Sequence, residues 1–218
     1  MPSEAIENYL KAIYKLERDD ERASTGQVAK RLGISAPSAS RMMKRLSEAQ
    51  LVERSPYQGV RLTDKGRVQA LRVIRNHRIL ESYLVKVLGM SWDRVDGEVE
   101  RIEHVVSDEL INRMEEALGY PRVDPHGSPI PGRDGSLPEL DGTVALPEVE
   151  PGERARVSRV VDAPSEALAH LESRGMKPGT ELLFVRQEPF HGPLVLEING
   201  EERVLGIELA RRVQVVVL

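Results

Sequence analysis

The sequence predicts a mainly α protein with a small β component: an N-terminal winged helix-turn-helix, a helical middle and a small C-terminal α+β or barrel domain. Three observations carry this reading. Residues 3–75 alternate short amphipathic helices with one pair of extended segments around a turn-rich tip. Residues 65–118 keep a helical apolar period. After a Pro/Gly-rich stretch at about 120–152, the tail from 153 to 218 has the pattern of a small separate domain. The boundaries drawn are 1–75 for the winged helix, 76–135 for the helical domain, 136–152 for a linker and 153–218 for the tail.

The first helix is expected from about Ser3 to Arg18, with Ile6, Tyr9, Leu10, Ile13, Tyr14 and Leu16 at helical spacing behind a Ser3 cap. A second begins near Ser24-Thr25, carries Val28, Ala29 and Leu32, and stops at Gly33. Ser35 caps a third, with Pro37 in the first turn where its missing N–H costs nothing, and this helix runs to about Gln50. Leu51–Arg54 and Val60–Thr63 then flank Ser55-Pro56-Tyr57-Gln58-Gly59, a turn sequence. A helix, a short glycine turn, a helix and a hairpin, in that order, make a winged helix, which is far more specific than a bare helix-turn-helix.

Charge follows the same division. Residues 1–75 hold 15 Lys+Arg against 9 Asp+Glu, a balance of +6, whereas the remainder holds 16 against 26, a balance of −10. The basic end suits DNA although the whole chain is at −4. The start of the third helix offers small and hydroxyl side chains at Ser35, Pro37, Ser38 and Ser40, which let a helix approach base edges. Arg41 has the chemistry to read guanine, while Lys44 and the wing residues Arg54, Tyr57 and Arg61 suit phosphates. Thr25 completes the candidate DNA set. A solvated polar face explains Lys44 and Arg45 equally well.

Other function classes lose ground. The chain has no cysteine, which removes disulfides, thiolate zinc sites and thiol nucleophiles. No apolar run is long enough to cross a membrane, and the N-terminus lacks a signal pattern, so a cytoplasmic location without membrane association is expected. No nucleophile elbow, phosphate loop or dinucleotide fingerprint is present, and no enzymatic activity is expected.

What remains is a set of histidines and carboxylates. His77 and Glu81 are four apart, and Glu100, Glu103 and His104 fall at i, i+3 and i+4, each group on one face of an expected helix. Nitrogen and oxygen donors without sulfur suit Mn(II) or Fe(II) and disfavour Cu(I) or a thiolate zinc site. Solvated ion pairs are the plainer reading of such pairs. A helical metalloenzyme is disfavoured because no second helix supplies the matching Glu-x-x-His. A metal-independent winged-helix regulator sensing a small organic ligand is the main alternative.

Several segments resemble the diphtheria toxin repressor family of metalloregulators, in its manganese-responsive branch. They are Glu7-Asn8-Tyr9-Leu10-Lys11-Ala12-Ile13-Tyr14, Ser35-Ala36-Pro37-Ser38, Leu62-Thr63-Asp64-Lys65-Gly66, Asn76-His77-Arg78 through Glu81, Glu100-Arg101-Ile102-Glu103-His104-Val105 and Asp124-Pro125-His126-Gly127-Ser128-Pro129-Ile130-Pro131. Together they span essentially residues 1–135. In the tail, Gly179-Thr180-Glu181, Gly192-Pro193-Leu194 and Gly206-Ile207-Glu208-Leu209-Ala210 resemble the family's small FeoA-like barrel.

The resemblance implies a primary metal site from Glu100, Glu103 and His104 with Asn8, or Glu7 in its place. It implies a second-site pair in His77 and Glu81, a ligand at Asp124, and one from the tail at Asp162 or Glu166. A carboxylate at Glu100, where the iron branch has sulfur, points to manganese. Lys11 stands where some two-metal relatives carry a carboxylate, which argues against a closely coupled metal pair. The same resemblance implies a homodimer through residues 65–118 that reads a palindromic operator in double-stranded DNA and represses genes of metal homeostasis, metal transporters among them.

Overall fold

The structure is a computed structural model that describes residues 3–17, 22–55, 58–138 and 142–218. It divides into two units. One holds Met1–His77, Ile102–Val106 and Pro131–Ser136; the other holds Arg78–Arg101, Ser107–Ile130 and Leu137–Leu218.

The first unit is built by local signals. Helix α1 (Glu4–Leu16) buries Leu10 and Ile13 completely. Helix α2 (Thr25–Leu32) opens on a reciprocal cap: the Ser24 hydroxyl accepts from the Gln27 N–H, and the Gln27 amide oxygen accepts from the Ser24 N–H. It closes on Gly33 in the left-handed region. Helix α3 (Ala36–Glu48) is capped by Ser35 and carries Pro37 in its first turn. Strands β1 (Val52–Ser55) and β2 (Gly59–Leu62) pair antiparallel, with Val52 opposite Leu62, and Ala23 bridges to Val60 on the far side. The apolar faces of all three helices and the hairpin share one core, which includes Leu10, Ile13, Val28, Met43, Leu46, Val52 and Val60. A winged helix is thus formed.

Two glycines are required there by space. A Cβ on Gly59 would lie 2.3 Å from the Ala23 carbonyl oxygen at a φ of +91°, and one on Gly66 would lie 1.9 Å from the Leu51 carbonyl oxygen. Gly66 therefore lets the helix α4 (Asp64–Lys86) start hard against the backbone of Leu51, just before β1.

The helical middle departs from the expected long helices. Beyond α4 come α5 (Val95–Ile102) and α6 (Asp108–Ala117). The apolar period running from Val95 to Leu110 is interrupted because Val105 and Val106 donate back to the Ile102 carbonyl, and Ser107 then caps α6 by accepting from the Leu110 N–H. Glu103 and His104 consequently sit in a turn after α5, not on a continuous helix face with Glu100.

In the second unit the tail forms one antiparallel sheet of six strands in the order β3-β8-β4-β5-β6-β7. They are β3 (Thr143–Ala145), β4 (Arg154–Val160), β5 (Glu181–Gln187), β6 (Leu194–Ile198), β7 (Glu201–Leu205) and β8 (Val213–Val217), with helices α7 (Ser165–Ser173) and α8 (Ile207–Ala210). The expected barrel does not close. The two edges are a three-residue strand, β3, and β7, whose charged Glu201, Glu202 and Arg203 blunt further pairing. The stretch read as a linker at 136–152 contains β3 and a 3-10 turn at Leu146–Glu148, and buries Leu146 and Val149 in the sheet's core. Apolar residues spaced between its prolines bring that order.

The Gly66→Ala variant is expected to lose roughly 1–3 kcal/mol of stability, as overpacking against backbone does. Denaturant unfolding checks this, and an unchanged midpoint would contradict the close approach at Leu51.

Candidate metal centre

α1 turns two different faces to its surroundings. Leu10 and Ile13 enter the core, while Glu7, Asn8 and Lys11 follow one another at helical spacing along another face. That second face meets His77 of α4 and the turn at Glu103-His104, all within the first unit. Lys11 is buried, and its ammonium donates to Glu103 Oε1 at 2.7 Å and lies 3.4 Å from His77 Nδ1. His77 Nδ1 sits 2.5 Å from the other Glu103 oxygen, Oε2. Burial works to raise the Glu103 carboxyl, but the hydrogen bond and charge of His77, with the charge of Lys11, more than offset it and bring the group down to about 2.

His104 lies beside this pair. Its Nδ1 is 2.6 Å from Glu7 Oε2, and its Nε2 is 3.0 Å from Asn8 Oδ1 and 3.4 Å from Glu103 Oε1. A neutral imidazole has one N–H and one lone pair, so it satisfies only one of these flanks as a donor. The separations of His104 Nε2 from Asn8 Oδ1 and from Glu103 Oε1 are close to the edge of an octahedron with bonds near 2.1 Å, roughly 3 Å. Glu103 and His104, with Glu7, line a cavity of about 100 Å³ together with Gln69, Arg72 and Asn76. The Gln69 side-chain oxygen is buried without a hydrogen-bond partner among the described residues. A small hydrated cation fits such a donor set, and its water fits the unmatched acceptor.

The second unit gathers another set. Glu81, Asp124 and His126 are all buried, and one ligand atom from each lies within 4.8 Å of the others. Asp124 Oδ1 accepts from the backbone N–H of His126 at 2.8 Å and of Ser128 at 2.9 Å, which folds the Asp-Pro-His-Gly turn. His126 Nε2 donates to the Trp92 carbonyl at 2.8 Å, and its ring stacks on Trp92 with centroids 5.4 Å apart. That bond assigns the proton to Nε2 and leaves the Nδ1 lone pair 3.5 Å from Glu81 Oε1. The Arg78 guanidinium lies 3.5 Å from Asp124 Oδ2. Burial, then the Glu81 charge, raises Asp124 to about 6 despite Arg78 and His126. His126 did not stand out in the sequence as a donor; its signal was the position two residues after Asp124 in a tight turn.

Glu100 is exposed on α5. Asp162 is exposed after β4 with a φ of +47° while its carbonyl accepts from Arg212, and it does not join Glu81, Asp124 and His126.

The DNA set is placed as follows. Ser35 caps α3, and its hydroxyl donates to the Ser38 hydroxyl at 3.0 Å, which in turn accepts from Arg41 at 3.2 Å. Pro37 and Arg41 are exposed and Ser40 half-buried. Thr25 donates to the Met43 sulfur at 3.6 Å, a packing contact between α2 and α3. Lys44 is exposed, 3.9 Å from Glu48, and Arg61 pairs across the hairpin with Glu53 at 2.7 Å. Tyr57 lies outside the described residues.

Comparison with known proteins bears on both units. Residues 1–60 match the model of the iron dependent repressor N-terminal DNA binding domain, residues 63–132 that of the iron dependent repressor metal binding and dimerisation domain, and residues 144–217 the FeoA domain. The diphtheria toxin repressor of Corynebacterium efficiens is 32% identical over 221 residues, covering 97% of this chain and 95% of that protein. The chain belongs to the diphtheria toxin repressor family. The iron-dependent repressor IdeR of Mycobacterium tuberculosis is also 32% identical, over 224 residues, 97% of this chain and 96% of that protein. Among solved structures, a manganese-dependent transcriptional repressor in complex with manganese superposes with a TM-score of 0.89 at 37% identity, covering 97% of this chain and 99% of the other. ScaR with bound Zn2+ superposes at 0.81 with 30% identity, covering 98% and 99%. No helix among the described residues is long and apolar enough to cross a membrane.

The raised Asp124 has a consequence for stability in chelator. A carboxyl whose folded pKa stands above 3.8 destabilises the fold when ionised, and the penalty is relieved as pH falls through about 6 toward 4. Asp124→Asn is therefore expected to raise the unfolding midpoint of the metal-free protein at pH 7.5, by an amount equivalent to roughly 1–3 kcal/mol, and to raise it by only about a third of that at pH 4.5. Calorimetry at both pH values in EDTA checks this, and an equal effect at the two would contradict it.

Proposed function

We propose that this family member is a metal-dependent, DNA-binding transcriptional repressor that works with Mn(II), with Fe(II) as the second choice, and controls genes of metal homeostasis. The observation that carries the reading is the convergence of His104 Nε2, Asn8 Oδ1 and Glu103 Oε1, which brings the first helix of the winged helix and the turn after α5 to one small cavity. Names of relatives support both metals: some are iron-dependent repressors, others manganese-dependent. The family's members are repressors, and the donor sets need no catalytic role.

Glu7, Asn8, Glu103 and His104 are the proposed donors of the first centre, and Glu81, Asp124 and His126 those of the second. A divalent ion, when bound, supplies the positive charge that allows these oxygens and nitrogens to stay close. Asn8 is neutral and offers only its amide oxygen, so Glu7 and Glu103 provide the negative charge at the first centre. Because Asn8 and Glu7 belong to α1, whose other face is the winged-helix core, occupancy of that centre restrains the reader domain. The reader is proposed to act in a homodimer, as the family's dimerisation domain supports, with each α3 in a major groove of a palindromic operator. Arg41 and the hydroxyl-rich start of α3 face the bases in this arrangement, with Lys44 and Arg61 on phosphates. Its target genes are proposed to encode metal transporters.

The test is DNA binding at fixed salt to fragments selected from a random library. Retention is expected to vanish in EDTA and return with micromolar Mn(II). His104→Ala is expected to remove the response to metal, and Arg41→Ala to weaken metal-loaded binding by about 1–3 kcal/mol with loss of preference at one base position. Equal retention with and without chelator would favour a metal-independent regulator instead.

A further inference from the structure

The wing meets the rest of its unit along the outer edge of β2. A two-stranded hairpin leaves every second N–H of each strand pointing away from the partner strand, and such a group needs an acceptor where it is turned inward. On β2 these groups belong to Val60 and Leu62. Val60 donates to the Ala23 carbonyl at 2.9 Å and accepts from the Ala23 N–H at 2.8 Å. The Leu62 N–H donates instead to a side chain, the carboxylate of Glu17 at the C-terminal end of α1. The other oxygen of Glu17, Oε2, accepts from the Arg67 guanidinium at 2.9 Å, in the first turn of α4 where the chain leaves the wing. That guanidinium lies over the Tyr14 ring of α1, 5.6 Å from its centroid. One carboxylate thus joins α1, the return strand of the wing and the helix that follows it.

We propose that Glu17 is a positioning residue for DNA binding, which fixes the wing against the body of the reader so that the wing's basic residues meet phosphates. Resting on the DNA-binding reading above, its role is one of placement. Glu17 touches no phosphate itself: it is an anion, and its side chain is 7% exposed. Its effect passes through the strand it holds. Arg61 lies between Val60 and Leu62, the two residues pinned by Ala23 and Glu17, so the direction of its half-exposed side chain follows from that backbone. Burial pushes the Glu17 carboxyl up from its ordinary value, although the Leu62 N–H and the charges of Arg67, Arg61 and Arg22 work against the shift. A carboxyl whose folded pKa is raised costs the fold stability once it is ionised, at neutral pH. A carboxylate kept there at such a cost serves what it holds in place more than it serves stability.

The test compares full-length wild type with Glu17→Ala, both loaded with Mn(II), on DNA fragments selected from a random library across a salt series. By charge alone, removing a carboxylate from a DNA-binding unit strengthens binding. Loss of the wing's placement does the opposite: Glu17→Ala is expected to bind about tenfold more weakly at low salt, with the log–log salt slope reduced by at least about one for each wing and base preference unchanged. A merely structural role would lower the unfolding midpoint and leave that slope alone. The wing is also read directly. The chain has no cysteine, so a nitroxide on Gln58→Cys, in the turn between β1 and β2, is a unique label. In EDTA its electron paramagnetic resonance spectrum is expected to show slow motion with Glu17 present and faster motion with Glu17→Ala. Should the alanine variant fail to fold, amide exchange of the wild type decides: the Leu62 N–H is expected to be as protected as that of Val60, and exchange at the rate of an open amide overturns the proposal. A wild type that binds no DNA with Mn(II) defeats the DNA-binding reading itself. If the wild type binds and Glu17→Ala binds with the same slope, or more tightly, only the role of Glu17 falls.

Discussion

Glu103 is a carboxylate in a buried turn, and three separate stretches of chain are organised around keeping it charged. Lys11 of α1 holds one oxygen, His77 of α4 holds the other, and the turn after α5 carries the residue itself. An ionised carboxylate in such a place is tolerated only when its partners are close and well aligned, and loss of one partner leaves a buried charge uncompensated. The contact therefore does more than add a salt bridge. It joins the polar face of α1 to His77 and to the turn whose His104 contacts Glu7 and Asn8.

Much of the first unit was legible because its signals are local. Caps at Ser24, Ser35 and Ser107, a left-handed stop at Gly33 and a turn-rich hairpin tip each act within a few residues. Some donor types were legible too, since helical spacing grouped His77 with Glu81 and Glu100 with Glu103 and His104, whereas Glu7 and Asn8 entered only through the family resemblance. What spacing could not supply was the break after Ile102. The apolar period continues across it, and only the backbone bonds to the Ile102 carbonyl reveal that Glu103 and His104 leave the helix while Glu100 stays on it.

His126 and the open sheet escaped for a different reason. The stretch around Asp124 has neither helical nor strand period, and its order comes from side-chain-to-backbone bonds and from the Trp92 carbonyl, thirty-four residues away. Whether a six-stranded sheet closes depends on its two edge strands, β3 and β7, which are far apart in sequence and carry no shared pattern. Such features are properties of pairing, which a single strand of sequence does not display.

The two donor clusters use similar side chains in opposite electrostatic states. At Glu103 an internal ammonium already balances the charge, and the carboxyl is driven down to about 2. At Asp124 the nearest guanidinium is 3.5 Å away, a second carboxylate is close, and the carboxyl is driven up to about 6. A ligand that binds only the folded state stabilises it in proportion to its affinity. The second cluster, with two buried carboxylates and one weakly placed cation, gains most from an added charge, as a structural site does. At the first cluster Lys11 and His77 already stabilise the buried Glu103 carboxylate, so an added ion has less buried charge to relieve there. On the proposed reading the ion at the first cluster acts by restraining α1, and a site that must respond to supply is better built on a carboxylate already held by its neighbours than on a deficit of charge.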